Sequence, residues 1–337
     1  MMHPTDESAT SRLVAPTDLV QALGSADRVL ITSHANPDGD AIGSETALAL
    51  GLMALGKEVL VWNHDPTPSN YEGFVGQVPW SVSATPPPSP FDVHFFVECP
   101  TPERTGHSTH PAVPLRINVD HHLGNTNYAD HNWVIPTAAS VSILIHEVLH
   151  ALGVDVDAPM ADALLLGLTT DTGGFRFSNT TADAHQAAAA MIVAGASPER
   201  ISQRIYESRT TGSVRLLGEV LQTLELRFDG RVASITLTHD HLLRAEASRQ
   251  DTEGLIDYPR SIEGVEIAVL FRELEGADRF KVSLRSRGTT SVETIARRHG
   301  GGGHRNAAGC ELPGPLESAR ETLFSDLQGA LSQESHP

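Results

Sequence analysis

Arg28-Val29-Leu30-Ile31-Thr32-Ser33 is a short apolar run, and His34-Ala35-Asn36-Pro37-Asp38-Gly39-Asp40-Ala41-Ile42-Gly43-Ser44 follows it directly. The first stretch reads as a buried strand, the Asn36-Pro37-Asp38-Gly39 segment as a turn, and residues 41–55 as a helix. A second strand at 58–62 completes a strand–helix–strand unit, which calls for a parallel sheet. Working outward, 92–97, 115–119 and 133–135 read as further strands. Helical periodicity covers 139–151, 160–168 and 182–194. The expectation is a parallel sheet with helices on both faces over residues 16–195. In such a sheet, ligands bind beyond the carboxyl ends of the strands.

After residue 195 the pattern changes. An amphipathic stretch, 199–224, is expected to supply a helical linker over 196–223. Strand pairs are expected at 224–228 with 231–237, around Asp229-Gly230, and at 265–272 with 280–286, around Glu275-Gly276. A short helix at 291–298, the glycine run Gly300–Gly303 and a last helix at 316–331 complete a smaller mixed α/β domain over 224–335. Residues 1–15 read as a loose tail.

The 337 residues carry 24 Lys/Arg against 42 Asp/Glu, a formal charge of −18. That acidity argues against a protein that coats long duplex nucleic acid. The charge is uneven: residues 1–195 hold 6 cations against 21 acids and 12 of the 17 histidines, whereas 279–305 holds seven cations and one acid. An acidic, histidine-rich half suits divalent cations, and a locally basic segment suits an anion. No apolar run approaches the roughly 20 residues of a membrane span, and no signal-like leader precedes residue 8, so a cytoplasmic protein is expected. Two cysteines, Cys99 and Cys310, make no disulfide framework.

Two motifs point elsewhere. The run 51–57 begins like a phosphate-binding GxxxxGK loop, but Glu58 replaces the Ser or Thr that would hold Mg²⁺, and the segment ends a helix instead of opening one. Gly56 reads better as a left-handed helix C-cap. His146-Glu147-Val148-Leu149-His150 is a formal HExxH, so a zinc protease with Glu147 as base is a competing reading. Its extended signature would need a third ligand where Val156 stands.

The stronger constellation places an imidazole and two carboxylates at 34–40, with Asp38 and Asp40 separated only by Gly39. Glu98 ends the third strand, and Asp120-His121-His122 ends the fourth. Asp171 lies in Gly167-Leu168-Thr169-Thr170-Asp171-Thr172-Gly173-Gly174. Neighbouring divalent ions on such donors can clamp a phosphoryl group and acidify water. Gly300-Gly301-Gly302-Gly303-His304-Arg305-Asn306-Ala307-Ala308-Gly309 adds glycines whose main-chain N–H groups can approach an anion closely.

These four segments resemble the ordered motifs of the DHH phosphoesterase superfamily, the last matching its DHH-associated C-terminal domain. The length resembles the stand-alone nanoRNase/pAp phosphatase type. The resemblance implies two Mn²⁺ ions, with Mg²⁺ or another divalent ion possible. One would be held by His34, Asp38 and Glu98, the other by Asp40, Glu98, His121 and Asp171. It further implies His122 beside the scissile phosphate and Asp120 orienting a histidine. Arg104, Arg285, Ser286, Gly302, Gly303, His304, Arg305 and Asn306 would bind substrate. The activity implied is hydrolysis of short single-stranded oligonucleotides from an end and of 3′-phosphoadenosine-5′-phosphate (pAp), by a metal-bridged hydroxide attacking phosphorus in line. A homodimer is compatible with it. Cleavage of a linear or cyclic dinucleotide is the alternative within the superfamily. One position departs: the family's bridging acid is Asp, and Glu98 carries a methylene more, reaching about 1.5 Å further. A catalytically weakened nucleotide-binding protein is therefore a third reading.

Overall fold

The computed structural model describes residues 13–88, 90–276, 278–288 and 290–333; the side chains of His304, Ser332 and Gln333 lie outside that description, as does the tail up to residue 12. The chain divides into two compact units, one ending at Ser208 and the other beginning at Arg209.

The first unit runs α1 (Thr17–Ser25), β1 (Arg28–Thr32), α2 (Gly39–Ala54), β2 (Glu58–Asn63), α3 (Glu72–Val75), β3 (Trp80–Val82), β4 (Val93–Val97), β5 (Leu115–Asp120), β6 (His131–Val134), α4 (Val141–Ala151), α5 (Ala158–Asp171), α6 (Ala182–Val193) and α7 (Pro198–Tyr206). Its six strands are all parallel, in the order β3-β2-β1-β4-β5-β6. The order reverses at β1, so the crevice beyond β1 and β4 is where ligand-binding groups are expected to gather. β1 and β4 are apolar and almost wholly buried, as strands in the middle of a parallel sheet must be. One face carries Val29, Ile31, Val93, Phe95 and Ile117 into a single core with α2, α4 and α5. The other carries Leu30, Trp62, His94 and Phe96. There the His107 ring stacks on Trp62 at 3.6 Å between centroids.

Helix α2 is buried around nearly its whole circumference, which its small residues permit. A Cβ on Gly43 would stand 2.2 Å from the Ala163 carbonyl oxygen, and one on Gly167 would stand 1.9 Å from Ser142 Oγ and 2.6 Å from Asp40 Oδ1. Glycine at these two positions lets α2 and α5 pack backbone to backbone. At its end α2 closes with Gly56 at φ +80°, Gly56 N–H on Met53 O and Lys57 N–H on Leu52 O. That is a left-handed C-cap, as the sequence predicts, and not a phosphate loop. α5 runs on to Asp171, three residues past its predicted end.

The second unit comprises α8 (Thr211–Leu221), β7 (Glu225–Arg227), β8 (Val232–Leu237), α9 (His239–Ala245), α10 (Asp257–Ser261), β9 (Ile267–Glu273), β10 (Arg279–Ser286), α11 (Val292–Arg298), β11 (Gly302–His304), β12 (Ala307–Pro313) and α12 (Leu316–Gln333). The sheet order is β11-β12-β10-β9-β8-β7, antiparallel except for β8 with β9. Both predicted hairpins are present; the first turns through Phe228, Asp229 and Gly230, all at positive φ. The stretch read as a linker holds two helices, α7 in the first unit and α8 in the second. Among the described residues, no helix is long and apolar enough to cross a membrane.

Candidate metal centre

At the carboxyl end of β1, the turn to α2 is fixed by backbone chemistry. Asp38 is the N-cap of α2: its Oδ1 accepts the Asp40 and Ala41 N–H groups at 3.0 and 3.1 Å. Gly39 is therefore the first helical residue and not a flexible spacer. Its missing side chain makes room for Thr170, which a Cβ would approach to 2.5 Å. Asp40 lies inside the helix, where Val141 N, Ser142 N and Ser142 Oγ donate to its carboxylate at 2.6, 3.0 and 2.7 Å. The first turn of α4 thus aims amides at the acid of α2. Asn179 Nδ2 binds the carbonyls of Ala139 and Asp171, tying the end of α5 to the segment that leads into α4.

Among the described residues, three groups of ligand-type atoms result, each with its atoms within 4.8 Å of one another: His34, Asp38 and Glu98; Asp40, His121 and Asp171; and Glu98, His121 and His122. Glu98, 3% exposed, joins them. Its Oε2 lies 3.0 Å from His34 Nε2, and its Oε1 lies 3.4 Å from His121 Nε2 and 3.6 Å from His122 Nδ1. Asp38 Oδ2 is 3.8 Å from His34 Nε2, and Asp171 Oδ2 is 3.7 Å from His121 Nε2. His34 and His121 each donate Nδ1–H to a carbonyl, of Ala35 (2.9 Å) and Ala138 (3.0 Å). Each therefore turns Nε2 toward carboxylates, the tautomer and orientation that metal-bound histidines adopt.

Crowded like charge marks the same place. Desolvation inside the packed site and then the Glu98 charge push Asp38 up, although its side chain is still partly exposed; burial and the Glu98 charge push Asp40 up to about 6. Burial and Asp40 push Asp171 well up. Burial works against charge on His34, but the Glu98 hydrogen bond and the charges of Glu98 and Asp38 outweigh it and raise it to about 10. Burial also opposes ionisation of Glu98, yet its histidine partners hold it well below the usual carboxylate range. Mixed imidazole and carboxylate donors carrying excess negative charge fit a borderline or hard divalent cation.

Asp120 stands behind this layer, fully buried. It accepts from His122 Nδ1 (2.7 Å), His121 N (2.8 Å) and Asn125 Nδ2 (2.6 Å). Arg104, in a 3-10 turn (Pro102–Thr105), is exposed, and its carbonyl accepts the Ala35 N–H at 2.7 Å beside His34. The sequence signals no role for Asn125, Ser142 or Asn179. They meet the site only through packing, from 5 to more than 100 residues away in the chain.

In the second unit, Arg285 and Ser286 end β10. Ser286 N–H donates to Asn306 O (2.9 Å) and Ser286 Oγ to Thr290 O (2.8 Å), which stitches the β11–β12 turn to β10. Ser286 and Asn306 are therefore together, with Arg285 in register with Ala307. Burial, and Arg260 nearby, lower the Arg285 guanidinium, opposed by Asp257. The predicted anion loop is largely a strand: Gly302, Gly303 and the backbone of His304 form β11. Gly303 is glycine because a Cβ would stand 2.4 Å from Ala307 O, and Gly301 because one would stand 2.1 Å from Gly309 O. Gly302 alone of these three meets nothing within 4 Å. Arg305 is exposed in the turn, and its carbonyl accepts the Val292 N–H.

The HExxH residues do lie on α4, but none of the three groups contains His146 or His150. Glu147 instead pairs with its neighbour His146 at 3.6 Å.

The family model for the DHH family, N-terminal domain, matches residues 28–168, and that for the DHHA1 domain matches residues 231–333. The chain is 34% identical over 314 residues to the bifunctional oligoribonuclease and PAP phosphatase NrnA of Thermus thermophilus, covering 91% of each. It is 27% identical over 317 residues to the protein of the same name from Bacillus subtilis, covering 93% of this chain and 97% of that one. The crystal structure of an exopolyphosphatase-related protein from Bacteroides fragilis superposes with a TM-score of 0.85 at 25% identity, covering 93% and 95%. With the two family domains in order and a full-length relative at this identity, the chain belongs to the DHH family of phosphoesterases, of the NrnA type, with a DHHA1 domain following the DHH domain.

Proposed function

We propose that this protein is a metal-dependent hydrolase that cuts very short single-stranded oligonucleotides from an end and removes a phosphate from pAp. The observation that carries this reading is Glu98, whose two oxygens reach two histidine-carboxylate groups at the carboxyl end of the sheet. The names of the full-length relatives support the substrate class.

His34, Asp38 and Glu98 would hold one divalent cation, and Asp40, Glu98, His121 and Asp171 a second, with Mn²⁺ the proposed metal. Bound there, the cations would polarise phosphoryl oxygens and lower the pKa of water. The chain's own groups do the rest. Asp120 accepts the Nδ1 proton of His122 and fixes its ring, so Nε2 is the atom that contacts the phosphate or passes a proton to the leaving oxygen. The Val141 and Ser142 amides of α4 fix the direction of the Asp40 carboxyl group. Arg285, Ser286, Gly302, Gly303, His304, Arg305 and Asn306 are the proposed contacts for the substrate's terminal phosphate and nucleotide, and Arg104 a further one. The proposal includes a cytoplasmic enzyme that leaves long duplexes alone, and a homodimer is compatible with it.

An end-labelled length series from 2 to 24 nucleotides, with pAp alongside, in Mn²⁺, Mg²⁺ and chelator, tests it. Fast turnover of 2- to 5-mers and of pAp, abolished by chelator, is the expected result. Equal turnover of 2-mers and 24-mers overturns the short-substrate reading, and turnover confined to one dinucleotide favours a signalling-dinucleotide phosphodiesterase.

A further inference from the structure

Glu45 lies on α2, is 0% exposed, and belongs to none of the three cation groups. Its Oε2 accepts a hydrogen bond from Asn63 Nδ2 at 2.9 Å, and Asn63 Oδ1 in turn accepts the Ser33 N–H at 3.1 Å. Ser33 and Asn63 are each 1% exposed. β1 ends at Thr32, so this side-chain pair takes over where the strand ladder stops, one residue before His34. Two residues on, the Ala35 N–H is held by Arg104 O. The backbone on both sides of His34 is thereby fastened, the inner side through Asn63, which Glu45 holds in turn.

As a contribution to stability, Glu45 is a poor choice. Burial pushes the carboxyl up to about 8 against the Asn63 hydrogen bond and the nearby Ser33 side chain, and neither Glu45 Oε1 nor Ser33 Oγ has a partner at full hydrogen-bond geometry among the described residues. An apolar side chain there would avoid that cost. What an acceptor at this position does, and an apolar side chain cannot, is fix the amide of Asn63, whose carbonyl oxygen faces Ser33 N–H while its NH₂ faces α2. We propose that Glu45 is a positioning residue for His34, acting through Asn63 and the Ser33 backbone to set the direction in which His34 leaves the sheet and so the affinity of the first cation group. The reach from His34 to Glu98 is 3.0 Å, and displacements of about 0.5 Å spoil such geometry.

The inference rests on the reading of His34 as a metal ligand. Its test is Mn²⁺ binding to the full chain, measured by equilibrium dialysis and by the rise in Tm on adding Mn²⁺, for wild type, Glu45→Gln and Glu45→Leu. Glu45→Leu is expected to need about 10- to 100-fold more Mn²⁺ for half-saturation, and Glu45→Gln, which keeps an acceptor for Asn63, to stay within about threefold of wild type. Should Glu45→Leu fail to fold, Asn63→Ala breaks the same link from the other side and is expected to weaken Mn²⁺ binding equally. Wild-type affinity in Glu45→Leu or Asn63→Ala overturns the inference, as does a Glu45→Gln variant as weak as Glu45→Leu. A wild-type protein that binds no Mn²⁺ overturns the metal-centre reading itself.

Discussion

Glu98 Oε2 stands 3.0 Å from His34 Nε2 on a backbone at φ +54°, so the acid shared by the candidate cation groups sits in the left-handed region. Asp and Asn tolerate that region better than Glu does. Glu98→Asp is therefore expected to relieve the backbone and to maintain or raise Mn²⁺-dependent hydrolysis of a 3-mer. Glu98→Gln, which loses the charge, is expected to lose about 100-fold or more. Steady-state rates across a Mn²⁺ titration decide it; a clear loss in Glu98→Asp counts against Glu98 as the shared ligand.

Asp120 orients His122 from behind and touches no proposed substrate atom. Asp120→Asn can present an N–H to His122 Nδ1 and so favour the wrong tautomer. The expected outcome is a fall in kcat of about 10²- to 10⁴-fold with Mn²⁺ affinity changed far less. Comparing kcat with the Mn²⁺ midpoint checks this; parallel loss of both would make Asp120 a support for the metal ligands alone.

Gly167 is where α5 passes Asp40 and Ser142. A Cβ there overlaps both, so Gly167→Ala is expected to cost about 1–3 kcal/mol of stability and to weaken Mn²⁺ binding by displacing Asp40. Thermal unfolding and equilibrium dialysis read the two effects separately. Gly56→Ala, at φ +80° with open space around it, is the contrasting variant: strained, yet expected to leave Mn²⁺ binding unchanged.

The Glu45 carboxyl holds its proton to about pH 8 in the folded protein, against an ordinary value of 4.5. Between those values the native state binds more protons than the unfolded chain, so this group makes stability fall as pH rises through the window. Glu45→Gln removes that dependence. In chelator, the Tm of Glu45→Gln minus that of wild type is expected to grow from pH 5 to pH 8, corresponding to at most a few kcal/mol. A difference constant over that range would mean that Glu45 ionises normally.

The strands were legible because β1 and β4 are largely apolar runs bounded by turn residues, a pattern that burial on both faces imposes, while β5 places Leu115, Ile117 and Val119 in alternation. The short strand β3, with Trp80 and Ser81 only partly buried, carries no such run. The sequence signals neither it nor α1, a nine-residue helix with only Leu19 and Leu23 buried. Two glycines answer to packing that the sequence does not display: the close approach of Thr170 requires Gly39, and that of β12 requires Gly303.

By itself the sequence determined the order of the main strands and helices, the parallel sheet and the identity of the ligand-type side chains, because local periodicity and strand-end position are written along the chain. Only the tertiary structure decided which of those side chains meet. Asp40 faces the α4 amides 101 and 102 residues away, Glu98 spans His34 and His121, and Asp171 reaches them because two glycines let α2 and α5 close together. The same is true of Glu45, whose charge composition counts and whose burial, partner and role composition cannot show. Contacts between distant segments depend on packing distances, and a one-dimensional pattern does not contain them.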